Sequence, residues 1–300
     1  MKIPVGIVGY GNLGKAVEKC LKSSDIFECK AIFSKRDLPN TEKVKNIMRY
    51  KNKISLLFLC GGSQNELETQ AFEYIQNFNI IESYDNHQRL KNYILKLDNL
   101  CKSYRKIALC SFGWDPGIFS FMRGLFDCLG YHPFTFWGKG LSQGHTQAIK
   151  NIPHVKDAVQ FTIPKEEIIN KIKKGDIQNQ GKHFHIRECF VVAEEKYQEK
   201  IKNQIENMKD YFKGYETYIN FISQDKLDSM KSFAHKGIVL TKDNVMNFSL
   251  NLPSNPDFTA GIMTTFAKSI TWLKEKKKYG SHTIFDLPLS CIVEDKFKFL

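Results

Sequence analysis

The sequence predicts an α/β protein: an N-terminal Rossmann-type parallel sheet followed by a second, mixed α+β domain. Three observations lead there. Over the first 120 residues short apolar runs alternate with stretches of helical spacing. The first run leads into glycines spaced Gly-x-Gly-x-x-Gly, and past Tyr131 the texture changes to strand-like alternation with few helices. Strand, helix, strand in repetition is the pattern of a parallel sheet covered on both faces.

The apolar runs are "KIPVGIVGY", "ECKAIFS", "ISLLFLC", "NIIESYD" and "KIALCSF", read as five strands. Between them "NLGKAVEKCLKSS", "NELETQAFEYIQNF" and "HQRLKNYILKLDNLCKSYR" place apolar residues three and four apart, the spacing of one helix face. Crossovers in such a sheet are right-handed, and ligands bind outside the carboxyl ends of the strands. Farther on, "FTFWGKG", "DAVQFTIP", "KHFHIRECFVVAEE", "GYETYINFIS" and "MNFSLNL" alternate with period two, which predicts an antiparallel, helix-backed domain; "KYQEKIKNQIENMKDYF" is its clearest helix. After "SNPDFTAG" a last helix is expected from about Phe258 to Lys277. The expected division is a dinucleotide-binding domain over 1–120 and a second domain over 121–255, with 256–300 packing back on the first domain or on a partner chain.

Composition narrows the function classes. Three hundred residues, 42% hydrophobic, suffice for one large or two medium cores. The longest apolar stretch, Ile54 to Cys60, is far short of the ~20 residues that cross a bilayer. The start "MKIPVGIVGYG" lacks the apolar centre and cleavage site of a signal peptide, so the chain is expected in the cytoplasm. Eight cysteines stand singly without a Cys-x-x-Cys pair and read as reduced core residues. His183, His185 and Cys189 form a conceivable metal trio, but their segment alternates like a strand with one exposed face, and no metal is expected. A formal charge of +12 permits nucleic-acid binding, yet the lysines are scattered over helical faces rather than interleaved with aromatics in one stripe, and no nucleic acid is expected.

The glycines carry the first chemical signal. Gly9, Gly11 and Gly14 lie between a strand and a helix, the context in which this spacing binds a dinucleotide. Gly9 allows the tight turn, Gly11 a close approach of a pyrophosphate, and Gly14 close packing of helix on strand. The pyrophosphate then meets the helix amino end, where free N–H groups favour an anion. About twenty residues after Gly14, where an NAD site offers Asp or Glu to the ribose, the chain has "FSKR". Lys35 and Arg36 pair with a 2′-phosphate and Ser34 adds a hydrogen bond, so the expected cofactor is NADP.

Two carboxylates follow strands on the same edge: Asp85 in "SYDNH" after the fourth run and Asp115 in "GWDPG" after the fifth. Facing one crevice they repel unless a cation sits between them, either a metal or an ammonium group. A substrate amine is the simpler partner beside a cofactor that does redox chemistry on carbon. Both residues also suit turns, as Asp-Asn and Asp-Pro, and the turn-forming role stands beside the functional one.

Taken together, "VGYGNLG", "FSKR", "SYDNH", "GWDPG", "FWGKGLSQGH" and "NPDFTA" resemble, in the same order over nearly the whole chain, the meso-diaminopimelate D-dehydrogenase family. The resemblance implies an NADP-dependent homodimer that oxidatively deaminates the D-centre of meso-2,6-diaminopimelate to L-2-amino-6-oxopimelate and ammonia, a reversible step serving lysine and diaminopimelate biosynthesis. It gives the second domain substrate binding and dimerisation. It implies cofactor contacts from Tyr10, Asn12 and Leu13 with the three glycines, from Ser34, Lys35 and Arg36, and from Cys60, Gly61, Gly62 and Ser63. Ser83, Tyr84 and Asp85, then Phe112, Gly113, Trp114, Asp115 and Pro116, complete that set. It implies substrate contacts from Asp85, Asp115, Trp137, Gln143, Gly144, Thr162, Arg187, His235 and Asn255. Lys35 stands where a second Arg is common, which keeps the charge but loses a bidentate fork.

On this reading Asp85 and Asp115 are the catalytic pair: they hold the ammonium, orient the C–H bond and stabilise the iminium. His145 in "SQGH" is a candidate base, as is an Asp acting through water. Arg187 suits the distal carboxylate of the substrate, with Thr162 and His235 beside it. Two other readings compete: a dihydrodipicolinate-reductase-like NADP oxidoreductase acting on a ring imine, and a non-catalytic NADP-sensing regulator whose basic surface engages nucleic acid.

Overall fold

A computed structural model describes residues 2–62, 66–176, 181–209, 211–230 and 234–300. The chain divides into two compact units, one formed by residues 1–121 and 256–300, the other by 122–255.

In the first unit β1 (Ile3–Val8) runs into α1 (Asn12–Lys22), followed by β2 (Phe27–Ser34) and a two-residue β3 (Glu42–Lys43). Then come β4 (Leu56–Leu59), α2 (Leu67–Tyr74), β5 (Asn79–Glu82), α3 (Leu90–Tyr104) and β6 (Ile107–Leu109). Leu56 to Leu59 are all 0% exposed, as expected of a parallel strand covered on both faces. One core holds Val5, Ile7, Val17, Phe58, Leu109 and Phe112; the other holds Val8, Leu57, Ile80, Tyr93 and Leu97. Helix α3 buries Tyr93, Leu97 and Cys101, four residues apart, which is one helix face.

The second unit begins within α4 (Ile118–Cys128) and continues with β7 (Pro133–Trp137), β8 (Gly140–Leu141), α5 (Gln143–Lys150), β9 (Asp157–Pro164) and α6 (Glu166–Lys173). It ends with β10 (His185–Val192), α7 (Gln198–Glu206), β11 (Glu216–Phe221), α8 (Gln224–Ser229), β12 (His235–Thr241) and β13 (Asn247–Leu252). Among the described residues its strands form two sheets, ordered β11-β10-β9-β8 and β13-β12-β7. The mixed α+β domain is as expected, but its antiparallel pairing has one exception, since β10 and β11 run parallel from Ile186↔Glu216 to Val191↔Phe221. Helix α7 lies between them and makes the crossover that a parallel pair requires. Strand β10 buries His185, Arg187, Cys189 and Val191 in strict alternation, the one-sided pattern expected of it.

The final segment is α9 (Asn255–Ala267), α10 (Ser269–Glu275) and β14 (Gly280–His282). The single helix expected over 258–277 is therefore two, separated at Lys268. Ala260, Met263, Phe266, Ile270 and Leu273 join the core around Val5 and Phe58. Strand β14 pairs parallel with β6, giving a seven-stranded sheet ordered β14-β6-β5-β4-β1-β2-β3. Chain order reverses between β1 and β4, so this parallel sheet has its ligand crevice outside the carboxyl ends of those two strands.

Candidate functional site

The glycine loop lies at that reversal point. Gly9 has φ +96°, a left-handed value that a side chain would strain, and a Cβ on it would stand 3.0 Å from the Cys60 carbonyl group. A Cβ on Gly14 would stand 2.0 Å from the Gly9 carbonyl oxygen, so only glycine lets α1 pack this close to the turn. At Gly11 a Cβ would meet nothing within 4 Å, and this residue caps α1 without a side-chain hydrogen bond and with no acid in the first turn. An open, uncapped helix amino end beside a turn crowded at Gly9 and Gly14 fits a dinucleotide pyrophosphate. The Tyr10 hydroxyl donates to Glu18 at 2.5 Å, and Leu13 packs partly buried against the sheet core. Asn12 is the first residue of α1.

The end of β2 meets the same loop. Arg36 donates from a guanidinium nitrogen to the Tyr10 carbonyl at 3.1 Å, while its backbone N–H is accepted by the Ser34 hydroxyl at 3.0 Å. Lys35 instead pairs with Glu66 at 2.7 Å, both side chains being well exposed. Cys60 follows β4, and its N–H donates to Val8 at 2.7 Å, locking the ends of β1 and β4 together. Burial pushes the Cys60 thiol well above its ordinary range, which disfavours the reactive thiolate. A Cβ on Gly61 would meet Gln70 Oε1 at 2.8 Å, whereas Gly62 is open. Ser63 lies outside the described residues.

Asp85 and Asp115 follow β5 and β6. Because the short β3 intervenes, these are the fifth and sixth strands rather than the fourth and fifth. Strand β5 stops at Glu82, so Asp85 stands three residues beyond it and is exposed. Asp115 is 8% exposed and accepts from the Ser120 hydroxyl at 3.4 Å. Its loop is tightly wound: Gly113 N–H donates to Pro116 O at 3.2 Å, and a Cβ on Gly117, at φ +135°, would stand 1.9 Å from Gly113 O. Trp114 packs edge-on against Phe119 at 5.2 Å. Phe112 is wholly buried against Phe266, so only its backbone is left for a ligand. Tyr84 is buried on Tyr93, ring centroids 4.3 Å apart, and Ser83 is partly buried beside it.

In the sequence Glu82 is no more than a residue of the run "NIIESYD". It is 0% exposed, and its carboxylate accepts from the backbone N–H of Tyr84, from Ser111 N–H at 3.2 Å and from the Tyr93 hydroxyl at 3.2 Å. A charge closing the short strand Asn79–Glu82, directly after two isoleucines, is its one signal in the sequence.

The second unit holds its own cluster. Thr162 on β9 and Arg187 on β10 are directly opposed, and the Arg187 guanidinium donates to the Thr162 hydroxyl. Arg187 is 7% exposed, lies 4.3 Å above the Tyr215 ring, and leaves its buried Nε without a partner. Burial pulls its pKa down, with the Tyr215 hydroxyl opposing, and no carboxylate pairs with it among the described residues. His185 accepts Trp137 N–H on Nε2 at 3.1 Å, with the Trp137 and His185 rings 5.4 Å apart. His145 lies between Tyr211 and Phe212, edge to face, with Nδ1 2.7 Å from the Ser142 hydroxyl. Burial, then the Arg187 charge, lowers both imidazoles to about 3, so each stays neutral and His145 is a poor proton acceptor at neutral pH. Gln143 and Gly144 open α5, His235 opens β12 at 8% exposure, and Asn255 opens α9. Among the described residues no three His, Cys, Asp or Glu side chains converge as a metal site; His185 and Cys189 share the inner face of β10, with Cys189 packed in the core.

A parallel sheet with a glycine loop at its reversal point and a basic strand end beside it defines a dinucleotide-dependent oxidoreductase. The family model of the diaminopimelic acid dehydrogenase C-terminal domain matches residues 113–253, and the meso-diaminopimelate D-dehydrogenase of Ureibacillus thermosphaericus is 38% identical over 97% of this chain and 95% of its own. The chain belongs to the diaminopimelate dehydrogenase family. The Corynebacterium glutamicum relative of the same name is 36% identical, over 95% of this chain and 93% of its own. Among solved structures, the C. glutamicum diaminopimelate dehydrogenase in complex with diaminopimelate matches with TM-score 0.91 and 34% identity, covering 100% of this chain and 98% of that one. An engineered D-amino acid dehydrogenase bound to NADP+ matches with TM-score 0.86 and 32% identity over the same shares. No helix is long and apolar enough to cross a membrane among the described residues.

Proposed function

We propose that this chain is an NADP-dependent dehydrogenase that oxidatively deaminates the D-centre of meso-2,6-diaminopimelate, giving L-2-amino-6-oxopimelate and ammonia, and that it works as a homodimer in the cytoplasm. The observation that carries the substrate assignment is Arg187: a buried guanidinium with Thr162 and Tyr215 around it and, among the described residues, no carboxylate paired with it. Burying such a charge is costly unless it is paired, so the partner is a carboxylate that arrives with the substrate. Arg187 takes the carboxylate of the distal L-centre, with Thr162 and His235 adding hydrogen bonds and Trp137, Gln143, Gly144 and Asn255 completing the substrate contacts.

NADP, when bound, supplies the hydride acceptor. Gly9, Tyr10, Gly11, Asn12, Leu13 and Gly14 hold its pyrophosphate, and Ser34, Lys35 and Arg36 its 2′-phosphate. Cys60, Gly61, Gly62 and Ser63, then Ser83, Tyr84, Phe112, Gly113, Trp114 and Pro116, line the remainder. Asp85 and Asp115 hold the ammonium of the D-centre, and, once it has lost its proton, stabilise the cationic iminium nitrogen that forms as the C–H bond breaks. Water adds to that iminium and ammonia leaves. With His145 held neutral far below neutral pH, the proton leaves the ammonium through one of the two Asp side chains, directly or across a water.

The test is the appearance of NADPH absorbance on mixing the protein, NADP and meso-diaminopimelate. Turnover with this substrate and none with L,L-diaminopimelate free of the meso and D,D isomers supports the proposal; NADP binding without turnover of any diamino diacid overturns it.

A further inference from the structure

Glu82 sits at the carboxyl end of β5, where a charged side chain normally reaches water, yet it is fully buried and among the described residues no Lys, Arg or His pairs with it. What it has instead are donors from both neighbouring strand ends. One carboxylate oxygen accepts from Tyr84 N–H, next to Asp85; the other accepts from Ser111 N–H at 3.2 Å, in the loop that carries Asp115, and from the Tyr93 hydroxyl of α3 at 3.2 Å. Its own carbonyl accepts from Phe112 N–H at 2.9 Å. The side chain thus bridges the two loops.

We propose that Glu82 is a positioning residue for the deamination: its carboxylate clamps the peptide N–H groups of Tyr84 and Ser111 and thereby sets Asp85 and Asp115 for one substrate nitrogen. This rests on the reading of Asp85 and Asp115 given above. The two N–H groups bind different oxygens of Glu82, and an ionised carboxylate offers both as acceptors, whereas an amide would turn one of the two positions into a donor. Holding groups to a fraction of an ångström is what orientation in catalysis requires.

The clamp depends on ionisation. Burial raises the Glu82 pKa to about 7, with the hydrogen bonds from Tyr84, Tyr93 and Ser111 and from the Cys110 thiol opposing. The groups facing it are Tyr93 of α3, Cys110 beyond β6, and Tyr84, whose hydroxyl reaches Glu68 of α2. Burial holds Tyr93 and Cys110 well above their ordinary values, so neither titrates near neutrality. Protonation turns one Glu82 oxygen into a donor, for which the Tyr93 hydroxyl is the available acceptor, and one backbone clamp is lost. Activity is therefore expected to rise with pH through about 7 as Glu82 ionises.

The experiment compares wild type, Glu82→Gln, Glu82→Asp, Asp85→Asn, Asp115→Asn and the Glu82→Gln/Asp115→Asn double variant in NADP reduction across pH. Glu82→Gln is expected to lower kcat by ~10–100-fold, to leave the KM for NADP unchanged and to lose the activity step near neutrality. Glu82→Asp, one methylene shorter but still charged, keeps that step with an intermediate kcat, and it carries the test if Glu82→Gln does not fold. The double variant is expected to lose less than the product of the two single losses, because Glu82 acts partly through Asp115 and partly through Asp85. A Glu82→Gln enzyme with wild-type kcat and pH profile, a Glu82→Asp enzyme without the step, or fully multiplicative losses overturn the inference. If Asp85→Asn and Asp115→Asn are themselves as fast as wild type, the functional reading fails and takes the inference with it; if they are slow while Glu82→Gln is not, the inference alone fails.

Discussion

Arg187 and Thr162 face each other across β10 and β9, guanidinium donating to hydroxyl, in a setting that buries the positive charge and offers it no protein anion among the described residues. An arrangement of this kind trades stability of the empty protein for recognition of a charged ligand.

The trade has two measurable sides. Replacing Arg187 by Met should raise the KM for diaminopimelate by roughly 10–150-fold, the loss of a charge-assisted hydrogen bond worth ~1.5–3 kcal/mol, and should relax selectivity towards simple D-amino acids. The same replacement should leave the melting temperature of the ligand-free protein unchanged or higher, since a desolvated charge is removed. Unchanged selectivity on steady-state kinetics would rule out the distal-carboxylate role.

Asp115 should matter to turnover rather than to cofactor affinity. Asp115→Asn keeps the size of a side chain that is 8% exposed and accepts from Ser120, but removes its negative charge. We expect kcat to drop by ~10²–10³-fold, the scale of losing one transition-state electrostatic partner, with the KM for NADP within a factor of about two of wild type.

The two basic residues after β2 should contribute unequally. Arg36 already reaches the Tyr10 carbonyl of the glycine loop, while Lys35 is engaged by Glu66. Arg36→Ala should raise the KM for NADP by ~10-fold or more and narrow the preference over NAD. Lys35→Ala should do markedly less, and Glu66→Gln, which frees Lys35, should lower the KM for NADP. Equal losses at positions 35 and 36 would contradict this order.

Acid should destabilise the second unit through His185. Its folded pKa, about 3, lies below the ordinary value of 6.5, so between these the unfolded chain binds a proton that the folded chain does not. Stability from this group is complete above pH 6.5 and falls as pH drops towards 3, by up to ~1.4 kcal/mol per pH unit. Protonation also removes the Nε2 lone pair that accepts Trp137 N–H. Melting temperature should decline over this window in wild type and more gently in His185→Gln.

How much of this was legible beforehand depends on how local the signal is. The parallel sheet could be read because Leu56–Leu59 and Ile3–Val8 are continuous apolar runs between helix-spaced segments, a pattern set by neighbours in sequence. The NADP-type strand end, "FSKR", and the family motifs are likewise contiguous. Strands β3 and β14 were not legible: "EK" and "GSH" carry no apolar pattern, and β14 exists only because β6, some 170 residues earlier, offers an open edge.

The sequence by itself determined the sheet class, the glycine turn with its helix, and the family, because each is written in residues close together along the chain. Tertiary structure alone decided that β10 pairs parallel with β11, that the terminal helix breaks at Lys268 and is followed by a seventh strand, and that Glu82 is buried while Asp85 is exposed. The reason is physical. Burial, and with it the ionisation of Glu82, Arg187 and His185, depends on which distant segments exclude water from a site, and that information is not carried by any window of the chain.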